Sequence, residues 1–255
     1  MSNIWIICRK ELKGYFSSPI AYALMAFFAL VVGYFFYAAT YFMVMRSMES
    51  QMQGRSMPIS VNEYIIGPVL MNASVIGLFL IPMLTMRLFA EEKRSGTIEL
   101  LATSPVRDVE IIIGKWLAAL VMYSSLLAMS MLNILLLFFY SSPDWRPMLV
   151  AYLGLVLQGG CLLAIGTFIS ALTKNQIIAA AGGFAICLLL WVLSWVTEFE
   201  SSATSKVVAY LSVVTHFETF SRGVLDSKDI VFYLSMIFIG LFLTARSMES
   251  LRWRA

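Results

Sequence analysis

Six long segments of this chain contain no Asp, Glu, Lys, Arg or His, and this pattern restricts the fold more than any other feature. A helix of about 20 apolar residues crosses the hydrocarbon core of a bilayer. Backbone amides in lipid must bond within their own segment, so uniformly apolar runs of this length predict helices. With 60% hydrophobic and 13% charged residues, the chain is predicted to be an all-α membrane protein with one transmembrane domain, residues 1–255. The predicted spans are residues 20–45, 64–86, 116–140, 148–173, 176–197 and 230–245.

The distribution of basic residues predicts the orientation of these spans. An even number of spans places both ends of the chain on one side of the membrane, together with the loops between spans two and three and between spans four and five. Twelve Lys and Arg residues fall on that side and six on the other. By the positive-inside rule, both ends are predicted to be cytoplasmic.

Residues 1–19 have the pattern of an amphipathic helix. Apolar residues recur at helical spacing, and basic residues such as Arg9 and Lys10 occupy the other face. This arrangement is typical of a helix that lies in the membrane surface. A solvated segment leading into the first span is the alternative. The apolar positions are Ile4, Ile7, Cys8, Leu12, Tyr15 and Phe16.

The predicted cytoplasmic loop, residues 87–115, is longer than a connection between neighbouring helices requires. It carries ten of the 33 formal charges of the chain, whereas a helix–helix turn needs only about 2–8 residues. Within it, residues 98–101 are too few to span a membrane and too apolar to favour water. Two interpretations stay open from the residues alone: this segment inserts into a groove of a cytoplasmic partner, or it folds back onto the lipid headgroups.

Local signals in this loop predict two helix starts. The Ser95-Gly96-Thr97 sequence is expected to end the second helix, and Thr97 to cap a short new one with Glu99 in its first turn. Ser104-Pro105 then predicts a second start, with Pro at the first helical position. That helix is expected to run through Asp108 and Glu110 into the third span.

The predicted extracytoplasmic loop, residues 198–229, contains a second amphipathic pattern. The apolar positions are Val207, Tyr210, Leu211, Val214, Phe217 and Phe220, which predict a short helix at or dipping into the outer leaflet. His216 is the only histidine, and a hydrogen-bonded or hydrated side chain is expected there rather than a metal ligand. Arg222, Asp226 and Asp229 are candidates for ion pairs, which contribute little when they are exposed.

Several functional classes lack their required residues. Gly114-Lys115 is followed by Trp116 and has Val109 where a phosphate-binding loop needs its first Gly, so ATP hydrolysis is expected from another polypeptide. The spans contain no catalytic constellation. They also lack the Asp, Glu or His residues that ion-coupled carriers use inside the membrane. An ATP-independent polytopic carrier and a structural membrane-assembly subunit remain the alternatives to a permease that a separate ATPase drives.

Two motifs resemble a known family. The first runs from Glu91-Glu92 through Gly96-Thr97 and Glu99 to Pro105 and then Gly114-Lys115, and it resembles the cytoplasmic loop of ABC-2 type permeases. The second motif, in the last loop, is similar to that of the gliding-motility-associated branch, although Val213 stands where that branch usually has Pro. Its matching residues are Leu211, Ser212, His216, Phe217, Phe220, Gly223, Asp226 and Asp229.

The resemblance implies a type V exporter-like architecture. Residues 1–19 would form an elbow helix, and residues 87–115 would supply a coupling helix that docks on an ABC ATPase subunit. Two six-span halves, identical or related, would surround the substrate path in the bacterial inner membrane. An auxiliary subunit with an extracytoplasmic domain is also implied as an option. The implied coupling residues are Glu91, Glu92, Gly96, Thr97, Glu99, Leu100 and Pro105, and the implied extracytoplasmic gate residues are His216, Phe217, Phe220, Gly223 and Asp226.

The implied partners and ligands are limited. ATP and Mg²⁺ would be bound by the ATPase subunit, and this chain would hold no cofactor, metal or nucleic acid. Membrane lipid is its expected surrounding. The resemblance leaves the transported substrate open, although export of a lipid, glycan or hydrophobic compound is the family expectation.

Overall fold

The computed structural model describes residues 2–53, 60–98, 106–141, 143–195 and 210–252, and every regular element in these ranges is helical. A short π-helical turn, Asn62–Ile66, leads into α3, and a 3₁₀ turn, Leu193–Trp195, follows α7. The helices are α1 (Ser2–Ser17), α2 (Pro19–Met52), α3 (Gly67–Thr85), α4 (Ala90–Ser95), α5 (Asp108–Tyr140), α6 (Trp145–Leu172), α7 (Gln176–Val192), α8 (Val213–Ser221) and α9 (Ser227–Arg252).

Six helical segments are long and apolar enough to cross a membrane, as the sequence predicts. Apart from the segment that begins at Gln176, they extend beyond the predicted spans at one or both ends because a helix can continue into water. The first is a 34-residue helix, Pro19–Met52, which includes Arg46 and Glu49, while the fifth, Gln176–Trp195, has only 20 residues. The others are Asn62–Ser95, Asp108–Tyr140, Trp145–Leu172 and Ser227–Ser250.

Helix α6 lies at the centre of the bundle, where it packs against α3, α5, α7, α8 and α9. Large apolar side chains on α2 and α9, including Leu30 and Phe238, point away from the core. Such exposure suits a lipid-facing surface. At one end of the bundle, which we call the α1 end, Asn3 Nδ2 donates to Glu110 Oε2 (3.2 Å). Helix α8 lies at the opposite, α8 end, where it packs on α6 and α3.

Helix α1 forms as its periodicity predicts. Its apolar face packs mainly against α5, where Cys8 is fully buried, while Trp5 and Ile6 are exposed. Burial beside Glu11 raises the pKa of the Cys8 thiol, with burial the larger cause. Most of the periodic face is therefore covered by protein, and the exposed apolar residues of α1 that are available to lipid are Trp5, Ile6 and Phe16.

The loop between α3 and α5 differs from expectation in two ways. The chain turns at residues 86–89, before α4, where the sequence has neither Gly nor Pro. The predicted helix start at Ser104-Pro105 lies outside the described residues, but the prediction that this helix runs on into the third span is wrong. Val106 and Arg107 are not helical, Arg107 is extended at ψ 139°, and α5 begins at Asp108. The predicted short helix begins at Thr97 and Ile98, but Glu99, Leu100 and Pro105 lie outside the described residues.

Candidate functional site

A hydroxyl group stabilises the turn between α3 and α4. Ser170 of α6 is fully buried, and its Oγ accepts from the backbone N–H groups of Phe89 (3.1 Å) and Ala90 (3.2 Å). The same hydroxyl donates to the carbonyl of Met86 (3.2 Å). Unpaired backbone groups are costly away from water, so this side chain makes the turn compatible with burial. The adjoining Phe89 ring is fully buried and fixes α4 against the bundle.

Helix α4 is held to α6 by a buried cation. The Lys93 ammonium donates to the carbonyl oxygen of Ala171, close to the C-terminal end of α6. Positive charge is favourable there because the last carbonyls of a helix lack intrahelical partners. Ser247 of α9 donates to the same carbonyl (3.4 Å). Helices α4 and α9 therefore meet at one carbonyl group of α6.

Lys115 connects α5 to α1 and α4. Its side chain is only 2% exposed, and its Nζ lies 2.8 Å from Glu11 Oε1 and 2.8 Å from Glu92 Oε1. The ammonium also lies 5.4 Å from the centre of the Phe89 ring. A buried charge is tolerated only when partners satisfy it. The two carboxylates belong to different helices, so this ion-pair cluster ties three elements together.

Gly114 explains how α1 comes close enough for this cluster. A Cβ atom at this position would lie 2.9 Å from Ile7 Cβ and 3.0 Å from the Ile4 carbonyl oxygen. Only glycine therefore fits the α1–α5 contact without displacement. Near the C-terminal end of α1, the Tyr15 hydroxyl donates to the Leu84 carbonyl at the end of α3 (2.7 Å). Burial, with a smaller effect of Glu11, raises the pKa of Tyr15.

The two predicted acidic residues have different surroundings. The Glu92 side chain is 14% exposed and binds Lys115, whereas that of Glu91 is 48% exposed and pairs with Arg87 one turn earlier (3.0 Å). Gly96 ends α4 at a φ of 74°, as the Gly-Thr sequence predicts, since glycine adopts this left-handed conformation without strain. The chain then enters the segment that includes Glu99, Leu100 and Pro105.

An open cavity of about 610 Å³ lies beside this cluster. Both signs of charge line it, including Lys10, Arg87 and Glu91, so its wall can bind a polar protein surface or a charged side chain. We call it the α1-end cavity. Its lining residues are Lys10, Glu11, Gly14, Tyr15, Arg87, Leu88, Glu91, Glu92, Ser95, Thr97 and Lys115.

At the other end of the bundle, α8 begins at Val213, and the Ser212 hydroxyl caps it by accepting from Thr215 N. Its apolar face, which includes Phe217 and Phe220, is buried against protein. The apolar face that the sequence predicts for the outer leaflet is therefore covered by protein instead of lipid, and Val207 lies outside the described residues. Gly223 follows α8 with a φ of 78° and contacts Pro147 closely.

The expected ion pairs at this end are also corrected. Asp229 pairs with His216, not with Arg222, and its Oδ1 lies 2.6 Å from His216 Nδ1. Asp226 is exposed and pairs with Lys228 (3.0 Å), whose side chain lowers the pKa of this carboxyl. No ion pair among the described residues includes Arg222. Within the same residues, no group of three His, Cys, Asp or Glu side chains is placed to hold a metal ion.

Sequence reasoning missed Glu11, Lys93 and Lys115 as members of the site. Lys115 offers the clearest signal, since it follows Gly114 at the boundary of an uncharged span. A lysine at that boundary usually extends towards the headgroups, so its burial between carboxylates is visible only in three dimensions. The same limit applies to Lys93, which lies within the charged run Glu91–Arg94.

The comparison with protein families gives one match. The model described as ABC-2 family transporter protein matches residues 5–245. No curated protein matches the chain significantly. The family match includes most of α1, the cluster around Lys115 and α8, so both ends of the bundle are represented in it.

Proposed function

The chain belongs to the ABC-2 family of transporter proteins, and we propose that it exports its substrate with energy from a separate ATPase subunit. Membership implies the permease component of an ABC transporter, a multi-pass membrane subunit and not an ATPase. Such permeases generally work with an ATP-binding subunit. In this proposal the α1 end faces the cytoplasm of a bacterium and the α8 end faces outward across the inner membrane.

The observation that carries this proposal is the Lys115 cluster beside the α1-end cavity. An ATPase that contacts the segment following Gly96 would push on α4. Because Glu92 joins α4 to Lys115, and Lys93 joins it to the end of α6, movement of α4 is passed to α5 and α6. Helix α1 moves with them through Glu11. The short helix α4 thus acts on two long spans, α5 and α6.

The proposed assembly contains two permease halves and two ATPase subunits. ATP and Mg²⁺ are bound by the ATPases, and this chain contributes the coupling residues. Those residues are Glu91, Glu92, Gly96, Thr97, Glu99, Leu100 and Pro105, to which the contacts around α4 add Glu11, Lys93 and Lys115. The gate residues are His216, Phe217, Phe220, Gly223 and Asp226, and an auxiliary subunit would contact the same outer face.

Cross-linking in native membranes, followed by affinity purification of the tagged chain, tests the ATPase partner. We expect mass spectrometry to recover a P-loop ATPase and the eluate to hydrolyse ATP. Glu92→Gln should reduce substrate-stimulated hydrolysis because it weakens the attachment of α4 to Lys115. A chain that repeatedly yields no ATPase after cross-linking would contradict the proposal and favour an autonomous carrier or a structural subunit.

A matched variant separates coupling from general damage. Glu91→Gln neutralises the neighbouring carboxylate, which among the described residues pairs with Arg87. If α4 transmits movement through Lys115, Glu92→Gln should lower transport far more than Glu91→Gln at equal expression. Equal losses in the two variants would remove the assigned role of the Lys115 cluster.

A further inference from the structure

His216 lies between two hydrogen-bond acceptors. Its Nδ1 is 2.6 Å from a carboxylate oxygen of Asp229, and its Nε2 is 2.8 Å from the backbone carbonyl oxygen of Tyr210. A neutral imidazole has one N–H donor and one bare nitrogen, so it can donate to only one of two acceptors. A doubly protonated ring donates to both. If both acceptors are to receive an N–H donor, the His216–Asp229 pair must therefore carry one proton more than a neutral histidine and an ionised aspartate carry together.

That proton belongs on the imidazole. Free imidazole is a stronger base than a free carboxylate, so the proton resides on His216 unless the surroundings reverse the order. The surroundings instead favour a proton on His216 and an ionised Asp229, because Asp229 lies in the first turn of α9, where the helix dipole stabilises a negative charge. We propose that His216 and Asp229 form a buried proton-binding site, an imidazolium–carboxylate ion pair that fixes α8 to α9.

Both members of the pair are enclosed. His216 is 5% exposed and Asp229 is 1% exposed. The Phe232 ring stacks on the imidazole at 3.9 Å, and the Tyr210 ring meets it edge-on at 4.8 Å. The second carboxylate oxygen, Asp229 Oδ2, is buried without a hydrogen-bond partner among the described residues. Either charge alone would be strongly unfavourable here, so the pair is stable only as a pair.

Few other charged groups face this site. From α9, Lys228 is near Asp229 but exposed and bonded to Asp226, and the Tyr233 hydroxyl donates to the Val213 carbonyl (2.7 Å). Of the other helices that pack on α8, α3 contains no ionisable side chain and α7 contains only Cys187. Helix α6 contributes Cys161 near Tyr233, while its remaining ionisable groups are engaged elsewhere. Arg146 stacks on Trp145, and Tyr152 bonds to Ser130.

The proton gives the docking of α8 a defined dependence on pH. When α8 is detached, the His216 ring meets water and loses both acceptors, and a free imidazole in water is mostly neutral near neutral pH. Docking then takes up one proton, so a rise in pH weakens docking and a fall in pH strengthens it. Because Phe220 packs closely against Gly154 of α6, loss of this contact would open the α8 end of the bundle.

The single histidine makes a direct test feasible. The protein is labelled with ¹⁵N-histidine and studied in lipid nanodiscs at about pH 7.5, where free imidazole is mostly neutral. The two ring nitrogens of an imidazolium give similar chemical shifts, whereas those of a neutral ring are widely separated. We expect the imidazolium pattern in the wild-type protein. Asp229→Asn should convert it to the neutral pattern, while Asp226→Asn, which changes an exposed carboxylate three residues earlier, should leave it unchanged.

Hydrogen exchange in the same samples measures how strongly the His216–Asp229 pair holds α8 against the bundle. At one fixed pH, Asp229→Asn should lower the protection of α8 amides by about tenfold or more, since a broken buried pair destabilises local docking. Asp226→Asn should leave the protection of the α8 amides unchanged. A neutral ring in the wild-type protein, or an imidazolium pattern that survives Asp229→Asn, would overturn the proposal. The wild-type spectrum decides the question even if a variant folds poorly.

Discussion

Buried ion pairs connect the helices at both ends of the bundle, but the two sets differ in the sequence separation of their partners and in the chemistry of the cation. Lys115 joins α5 to residues 104 and 23 positions away in the sequence, on α1 and α4. His216 joins α8 to Asp229, only 13 positions away. A lysine keeps its charge throughout the physiological pH range, whereas a histidine changes its charge within it. The α1 end therefore has a permanent connection between distant elements, and the α8 end has a local one that solution conditions can release.

The largest predicted effect comes from removing the permanent connection. Lys115→Met leaves Glu11 and Glu92 facing each other without a cation, and breaking a buried ion pair costs about 3–5 kcal/mol. We expect a lower free energy of unfolding and loss of ATPase-driven transport. Thermal unfolding in nanodiscs and transport into inverted vesicles measure the two. Lys10→Met, an exposed cation at the same cavity, is the control, and an equal loss there would contradict the assignment.

Two glycines allow a matched comparison of the ends. Gly96 and Gly223 both adopt positive φ, but a Cβ at Gly96 meets no atom of the described residues within 4 Å, while one at Gly223 would lie 2.5 Å from Pro147. A left-handed conformation costs a non-glycine residue about 1–2 kcal/mol. Overpacking adds about 1–3 kcal/mol at Gly223 only. Gly223→Ala should therefore destabilise the protein more than Gly96→Ala in urea or heat unfolding, and the reverse order would contradict the packing described at the α8 end.

A third comparison concerns the contact that brings α1 to Lys115. Gly114→Ala forces Ile7 away and should cost about 1–3 kcal/mol. Gly14→Ala, where a Cβ meets nothing within 4 Å, should be neutral or slightly stabilising, since alanine favours helix. The measurement is maleimide labelling of Cys8, which is buried on the face of α1 that packs against α5, in a background lacking Cys161 and Cys187. Faster labelling in Gly114→Ala alone is expected, and equal rates would mean that α1 is held independently of Gly114.

The smallest expected effect concerns the exposed pair of Arg87 and Glu91. Surface pairs of this kind contribute about 0–1 kcal/mol, so Glu91→Gln should change the unfolding temperature very little. Its effect should appear instead in partner capture if the α1-end cavity receives an ATPase. The test compares cross-linking yield with melting temperature for this one variant. A large drop in melting temperature would show that Glu91 supports the fold and not a partner surface.

The sequence predicts the spans well because each is a long uncharged run that lipid forces into a helix. It does not predict the turn at residues 86–89, since Met86 and Phe89 carry no turn signal. That turn depends on Ser170, a residue 81 positions beyond Phe89 that satisfies its backbone N–H. Likewise, Asp226 and Asp229 are equally plausible partners for His216 by spacing, and only packing decides that Asp229 faces inward.

The unequal lengths of the spans have a consequence for the membrane itself. At 1.5 Å per residue, the 34-residue α2 is about 51 Å long, well beyond a hydrocarbon core of about 30 Å. The uncharged run in α9, residues 230–245, is about 24 Å long. Hydrophobic mismatch in a thicker bilayer will therefore strain α9 first, while α2 tolerates a change by tilting. Activity in a series of bilayers with longer acyl chains should fall at the thickness at which Arg246 is drawn into the hydrocarbon.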